Sequence, residues 1–393
     1  MISFEKAISI CMENAFTLPT EIIKLENSVG RILAKDIFSD IDIPPFDKSA
    51  MDGYACRTED LKNDLQIIEI IKAGDIPKKE LKKNQCSKIM TGAPLPKGAN
   101  TVIIWENIEK ISENKIRLQE KFFSKKESNI CYKNEDLKKY DLILEKNTRI
   151  EIRDIGILAS VGCNKLEVYR KVKVGIISTG NEIIEINQKP KNSQIRNSNA
   201  YQLITQLKEM KVIPEYIGIA KDEEKDTLKK FRDAIENNDL VIFTGGVSAG
   251  DFDFVPKILK KEKFKILFDR VAVQPGKPTT FAIKNNLFCF GLPGNPVSSY
   301  IQFEFLVKAF LYKLMSYDYK IKKKCLELKE DFKRKKAKRK SFFPVQIKNN
   351  KIIKMEYNGS GHVHSISKAD GFISLEIGQK EIKKGKLIDV IFL

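Results

Sequence analysis

From Leu240 the chain reads LVIFTGGVSAGDFD: an apolar run, a glycine-rich loop, and the carboxylates Asp251 and Asp253 at its end. Leu240 to Phe243 has the length and β-branched content of a strand buried in a parallel sheet. Gly245, Gly246 and Gly250 free the backbone for tight or left-handed conformations and let a ligand approach it closely. The next residues, FDFVPKILKKEK from Phe252, have helical spacing. The loop therefore lies where exposed N–H groups and a helix dipole can hold an anion. Carboxylates beside a phosphate repel it, and a divalent cation between them resolves that conflict. The segment reads either as an anion-and-metal site or as an ordinary strand-to-helix turn.

The neighbouring elements bear on that choice. VKVGIIS from Val172 predicts a buried strand, NAYQLITQLKEM a helix, VIPEYIGI a strand and KDTLKKFRDAIENN a helix ahead of LVIFT. That alternation predicts a doubly wound α/β domain with a parallel sheet. Further strands are expected at Phe268 to Val273, Thr279 to Ile283 and Leu287 to Leu292, closed by the long amphipathic helix VSSYIQFEFLVKAFLYKLM. Ligands of such sheets bind outside the carboxyl ends of the strands. Three loops leave those ends: Ser178 to Glu182, Gly245 to Asp253, and Leu292 to Pro296. Each carries glycine with polar or acidic groups, so their convergence on one edge favours a true pocket.

At 393 residues the chain exceeds a single core. The predicted architecture is multidomain, α/β plus β. An N-terminal connecting domain spans 1–45 and 141–170, with an inserted small β-domain at 46–140 that is rich in short β-runs. The α/β domain covers 171–318, and a basic, strand-rich, barrel-like β-domain covers 319–393. The start, MISFEKAISICMENAF, predicts an amphipathic helix and not a signal peptide. No apolar run approaches the roughly 18 residues of a membrane span. Seven scattered cysteines without a CxxC pair fit a reducing cytoplasm and argue against structural zinc.

The net charge of +18 is spread through almost every segment, which is compatible with gathering anionic small substrates. Its one dense run, Lys333 to Lys340, reads as a mobile hairpin or linker in preference to a nucleic-acid patch. His362 and His364 fall on alternate positions of an expected strand and make at most an incomplete metal site. Trp105 is expected in a core.

Taken together the motifs resemble the molybdopterin molybdenumtransferase family, bacterial MoeA and the E-domain of gephyrin. The likeness runs through DIPPFDKSAMDGYA (Asp42 to Ala55), IMTGAPLPKGANTVIIWE (Ile89 to Glu106), ISTGNEI, TGGVSAGDFD, VAVQPGKPTTF and GLPGNPVSS, in that order. It implies an enzyme that inserts molybdate into adenylylated molybdopterin, uses Mg²⁺, and releases AMP with the finished molybdenum cofactor. It also implies a homodimer whose site lies between the α/β domain of one subunit and the small β-domain of the other. Molybdopterin adenylyltransferase and acceptor molybdoenzymes or their chaperones are the implied protein partners.

By that resemblance Asp52, Glu182 and Asp253 are catalytic, with Glu182 and Asp253 as Mg²⁺ ligands or water-orienting groups for pyrophosphate cleavage. Asp222 matches a further acidic position of the pocket, or serves as a helix N-cap. Asp52 and Thr91 match the partner-subunit contribution, with the Thr91 hydroxyl donating to an oxyanion. Gly245, Gly246 and Ser248 go with substrate binding, and Arg270 and Lys277 match basic positions facing pterin phosphate or molybdate. Pro293 and Pro296 fix the loop around Gly294 and Asn295, and Ser298 either holds phosphate or caps its helix. The chain departs from the family at Asn181, commonly Asp, at Gln274, often Lys or Arg, at Lys48, and in CYKNED (Cys131 to Asp136). The departures permit a tungstate-preferring paralogue. An adenylyltransferase resembles the α/β domain alone, and a dimeric scaffold is the non-enzymatic alternative.

Overall fold

The computed structural model describes residues 1–119, 128–247, 253–357 and 359–392. Two compact units result: Met1–Lys35, Asn147–Ile152 and Lys165–Leu393 form the first, and Asp36–Lys146 with Arg153–Asn164 the second.

The first unit opens with a helix over Phe4–Glu13, capped by the Ser3 side chain, which accepts from Lys6 N at 3.1 Å. Phe4, Ala7 and Cys11 are its buried positions, the one-face spacing of an amphipathic helix. The strand Thr20–Lys24 then pairs antiparallel with Lys165–Tyr169.

The α/β part follows as β1 (Lys173–Thr179), α1 (Ser198–Glu209), β2 (Ile213–Ala220), α2 (Glu224–Asn237) and β3 (Leu240–Thr244). It continues with α3 (Val255–Lys261), β4 (Lys265–Phe268), β5 (Thr280–Lys284) and β6 (Leu287–Leu292). The sheet order is β2-β1-β3-β6-β5-β4. Period-2 alternation sorts its side chains onto two faces. Val174, Ile176, Leu240, Ile242, Phe288 and Phe290 join the larger core with Leu203 and Leu207 of α1. Ile177, Val241, Phe243 and Cys289 face Phe231 of α2 and Ile258 of α3. Apolar residues at consecutive strand positions are thus buried on both sides, as a three-layer fold requires.

The expected parallel sheet carries an antiparallel edge. β1, β2, β3 and β6 are mutually parallel, but β5 runs antiparallel to β6 and to β4. Only Asn285 and Asn286 separate β5 from β6, and Asn285 has φ +53°. A two-residue connection can close only a hairpin, because a parallel return needs a crossover of about a dozen residues. The strand expected at Phe268 to Val273 is also split. It ends at Phe268, and a short strand at Val273–Gln274 pairs instead with Lys340 and Ser341. The closing helix runs as α4 (Pro296–Gln302), a π-helical stretch at Phe303–Val307, and α5 (Lys308–Leu314).

Beyond it, β7 (Lys323–Leu328), β8 (Lys340–Lys348), β9 (Lys351–Lys354), β10 (Gly371–Leu375) and β11 (Leu387–Phe392) close on themselves in the order β8-β9-β7-β11-β10-β8. This five-stranded barrel encloses Leu328, Val345, Ile352, Ile373, Leu375 and Val390, and closure removes exposed strand edges. The basic run is tied into it, not a free linker. Arg334 donates to the carbonyls of Gln379, Arg339 and Glu376, and Lys340 pairs with Glu5 and Glu376 at 2.8 Å. His362 and His364 do not share a strand face, because His364 begins a short helix over His364–Ser367.

The second unit carries a six-stranded sheet ordered Thr101–Ile104, Gly53–Cys56, Gln85–Ile89, Leu65–Ile71, Lys115–Leu118, Ile108–Ser112. Trp105 sits beside it at 39% exposure with the Lys88 ammonium over its ring, not in a core. Gly53 of the MDGYA segment is sterically obligatory, since a Cβ there would lie 2.0 Å from the Ile103 carbonyl oxygen. The contact is backbone and cannot rotate away. Gly53→Ala should therefore destabilise the protein by about 2–3 kcal/mol or more, read as a fall in the urea midpoint. An unchanged midpoint would show that these strands separate freely.

Candidate active site

The carboxyl ends of β1, β3 and β6 border a depression of about 720 Å³. Its lining includes Glu182 after β1, Asp222 after β2, Gly245, Gly246 and Asp253 after β3, and Pro293 to Pro296 after β6. The volume falls within the range of small-molecule sites.

Backbone conformation builds the loops. Gly245 and Gly246 have φ of +88° and +63°, and a Cβ on either would lie 2.8 Å from the Thr179 hydroxyl. Both need glycine, for conformation and for space. Gly245 N then donates to Leu292 O at 3.0 Å, which ties the end of β3 to the end of β6. A buried polar network runs beneath the loops. Thr244 Oγ1 donates to Ser178 Oγ at 3.3 Å, and Ser178 Oγ to Asn197 Oδ1 at 3.1 Å. Asn197 Nδ2 donates to the Tyr216 hydroxyl, which donates to Glu185 at 2.7 Å. Burial, and then Glu185, push the Tyr216 phenol well above its ordinary range, so it remains a neutral donor.

The mouth is held by a reciprocal clasp. Asp222 Oδ2 accepts from Asn181 N at 3.0 Å, while Asn181 Oδ1 accepts from Asp222 N at 3.2 Å. Asp222 is thus not the helix cap, and Glu223 occupies that position without a side-chain bond. The clasp gives Asn181 a positional task that a second carboxylate beside Asp222 would oppose by like-charge repulsion. Glu182 folds back over Gly180, where a Cβ would meet its carboxylate oxygens at 2.6 and 2.7 Å. Pro293 is buried, and Asn295 is the N-cap of α4 without a side-chain cap bond.

Several expected residues lie elsewhere. Ser298 is 2% exposed and does not line the depression. Arg270 and Lys277 are exposed on either side of the Val273–Gln274 strand and are not lining residues, although Pro278 is. Ser248 lies outside the described residues. Asp52 and Thr91 belong to the second unit, where Asp52 Oδ1 accepts from Thr91 N at 2.7 Å and from Thr91 Oγ1 at 2.8 Å. The Thr91 hydroxyl is therefore directed at Asp52. These bonds, the backbone one first, hold the Asp52 carboxyl below the usual carboxylate range.

The site also includes residues that sequence reasoning missed. Arg196, Asn197, Ser198 and Asn199 line it from the start of α1, and Gly361 and Val363 from the segment before His364. Asn199, 7% exposed, donates to Gly294 O at 2.8 Å and so holds the third loop. The Asn-Ser-Asn run at a helix start was the available signal, being rich in groups that bond loop backbones. Arg196 is the one cationic side chain among the described lining residues, against Glu182, Asp222 and Asp253. Such a pocket accepts an anion only if further positive charge arrives with it.

The comparisons with known proteins coincide with this architecture. Family models match as the MoeA N-terminal region (domain I and II) over residues 2–162, a probable molybdopterin binding domain over 175–313, and the MoeA C-terminal region (domain IV) over 326–393. The molybdopterin molybdenumtransferase of Staphylococcus epidermidis is 35% identical, covering 99% of this chain and 95% of its own. That of Bacillus subtilis is 38% identical over 74% of this chain and 69% of its own. The crystal structure of a molybdopterin biosynthesis MoeA protein from Pyrococcus horikoshii OT3 superposes with a TM-score of 0.84 at 28% identity, covering 100% of both chains. The chain belongs to the molybdopterin molybdenumtransferase family. It is an enzyme of that class, and its place is in molybdenum cofactor biosynthesis.

Because the Asp52 pKa is depressed, its contribution to stability is complete above the unfolded value of about 3.9 and is lost as pH falls through the folded value. Thr91→Ala keeps the backbone donor but removes the hydroxyl. It should move the Asp52 midpoint up toward the ordinary range in a carboxyl NMR titration. An unmoved midpoint would leave the hydroxyl without influence on this carboxylate.

Proposed function

We propose that the protein inserts molybdate into adenylylated molybdopterin with Mg²⁺-dependent release of AMP, giving the molybdenum cofactor. The observation that carries this reading is the convergence of Glu182, Asp222 and Asp253 with the left-handed Gly245–Gly246 turn at one sheet edge. Bare glycine backbone suits close approach of a phosphate-bearing substrate. The carboxylates suit a reaction at pyrophosphate only when a divalent cation accompanies it.

Among the described residues no three His, Cys, Asp or Glu side chains group into a ready-made metal cage. That fits Mg²⁺, which is usually held by one or two carboxylates together with substrate phosphates and waters. Glu182 and Asp253 would hold the ion, which supplies charge neutralisation at the phosphate oxygens when bound. Arg196 would face the anionic substrate, and Asn199 would keep the Gly294 turn in register. The Asn181–Asp222 clasp would set the direction from which Glu182 approaches. We further propose a homodimer in which Asp52 and Thr91 of the second unit serve the partner copy's pocket, with Asp52 ionised throughout the physiological range.

Purified protein given adenylylated molybdopterin, Mg²⁺ and molybdate should release AMP in a molybdate-dependent manner, and chelation of Mg²⁺ should stop it. Glu182→Ala and Asp253→Ala should each lower that release by about 10²–10⁴-fold, with circular dichroism and native mass unchanged. Full turnover in both variants would sink the carboxylate assignment. Substrate binding without AMP release in the wild type would sink the reaction itself.

A further inference from the structure

A second depression, of about 630 Å³, lies at the opposite edge of the same sheet. Lys173 and Ile213, the first residues of β1 and β2, are among its lining residues. The length of β1 puts it about 20 Å from the pocket at the carboxyl edge. Its charged lining is Arg31, Arg170, Lys171, Lys173 and Lys211 against Glu21 and Glu26.

Some of that charge is already committed. Arg170 grips Asp239 with both terminal nitrogens, at 2.8 and 2.6 Å. Glu26 lies 3.7 Å from Lys24, and Glu21 pairs with Arg31. Lys171, Lys173 and Lys211 make no ion pair among the described residues. Arg31 is only 5% exposed, yet just one end of its guanidinium is used. Its Nη2 donates to Glu21 and to the Tyr169 carbonyl. Its Nε and Nη1 have no hydrogen-bond partner among the described residues, and neither atom is fully enclosed, in a residue that lines the depression. A buried guanidinium with three unused donors suits a planar or tetrahedral oxyanion.

Lys211 reaches the depression from the end of α1. It follows the C-cap of α1 with φ +61°, the left-handed position where helices usually place glycine. A lysine there is mildly strained, as are Lys263 and Ser316 just past the ends of α3 and α5, so the conformation marks a helix end. Its stem crosses the bare backbone of Gly30, where a Cβ would lie 2.9 Å from Lys211 Cγ. The stem is thereby held over Gly30, the residue before Arg31 in the chain.

We propose that this depression is a second anion site, separate from the candidate active site, that takes a small molecule bearing a phosphate or polyphosphate group. Arg31 provides the fork, and Lys171, Lys173 and Lys211 neutralise the charge. Ile23, Val29 and Ile213 offer an apolar wall to whatever the phosphate carries.

Isothermal titration of the full chain at low salt, with inorganic pyrophosphate and separately with ATP, tests this. Lys173→Gln should weaken one binding event about tenfold or more, while Asp253→Ala should leave that event intact. Lys211→Gly is the decisive variant. It relieves the left-handed strain, so the protein should fold with its melting temperature little changed while the same affinity falls; a lysine that only packs on Gly30 would leave the affinity as it was. Tighter binding of ATP than pyrophosphate would identify a nucleotide as the occupant, and equal binding the free anion. Wild-type affinity and stoichiometry in both lysine variants, or no binding of either probe, would overturn the proposal.

Discussion

The carboxyl edge of the α/β sheet depends on one close approach, that of Gly245 and Gly246 to Thr179. Any side chain at either glycine would collide with the Thr179 hydroxyl at 2.8 Å, so the loop after β3 could not pass over the end of β1. With that passage open, the Gly245 amide reaches the Leu292 carbonyl, and three strand ends become one surface. The polar network from Thr244 to Glu185 lies beneath it and leaves the loop-forming side chains with defined partners. A buried network of this kind specifies geometry because each unsatisfied member would be costly.

Charge is divided between the two edges of the same sheet. The carboxyl edge gathers Glu182, Asp222 and Asp253 around a single arginine, while the amino edge gathers Arg31 and three lysines. The first suits an anionic substrate that brings a cation with it, and the second suits an anion by itself. The net charge of +18 is therefore less telling than its local absence at the candidate active site. The basic run from Lys333 shows the same point, since Arg334 and Lys340 are engaged with barrel carbonyls and carboxylates.

Much of this was legible in residue order. Glycine pairs after an apolar run, acidic residues at strand ends, and motifs in family order located the pocket loops and the fold class. Local pattern failed where pairing partners decide the outcome. β5 has an ordinary strand composition, and only the two-residue turn at Asn285–Asn286 makes it antiparallel. His362 and His364 alternate as a strand would, but the chain turns there and begins a helix. Arg196 and Asn199 went unnoticed because they sit at the start of α1, far in sequence from the pocket loops, and Asn199 meets Gly294 only in space.

By itself the sequence determined the layered α/β core, the glycines at the carboxyl edge and the carboxylates beside them. These follow from local sterics, strand and helix periodicity, and short-range charge chemistry. Tertiary structure alone decided that Asp222 binds Asn181, that Thr91 aims at Asp52, and that Lys211 lies across Gly30. Those are pairings between residues distant in the chain, formed only when packing brings their backbones within hydrogen-bond or van der Waals reach.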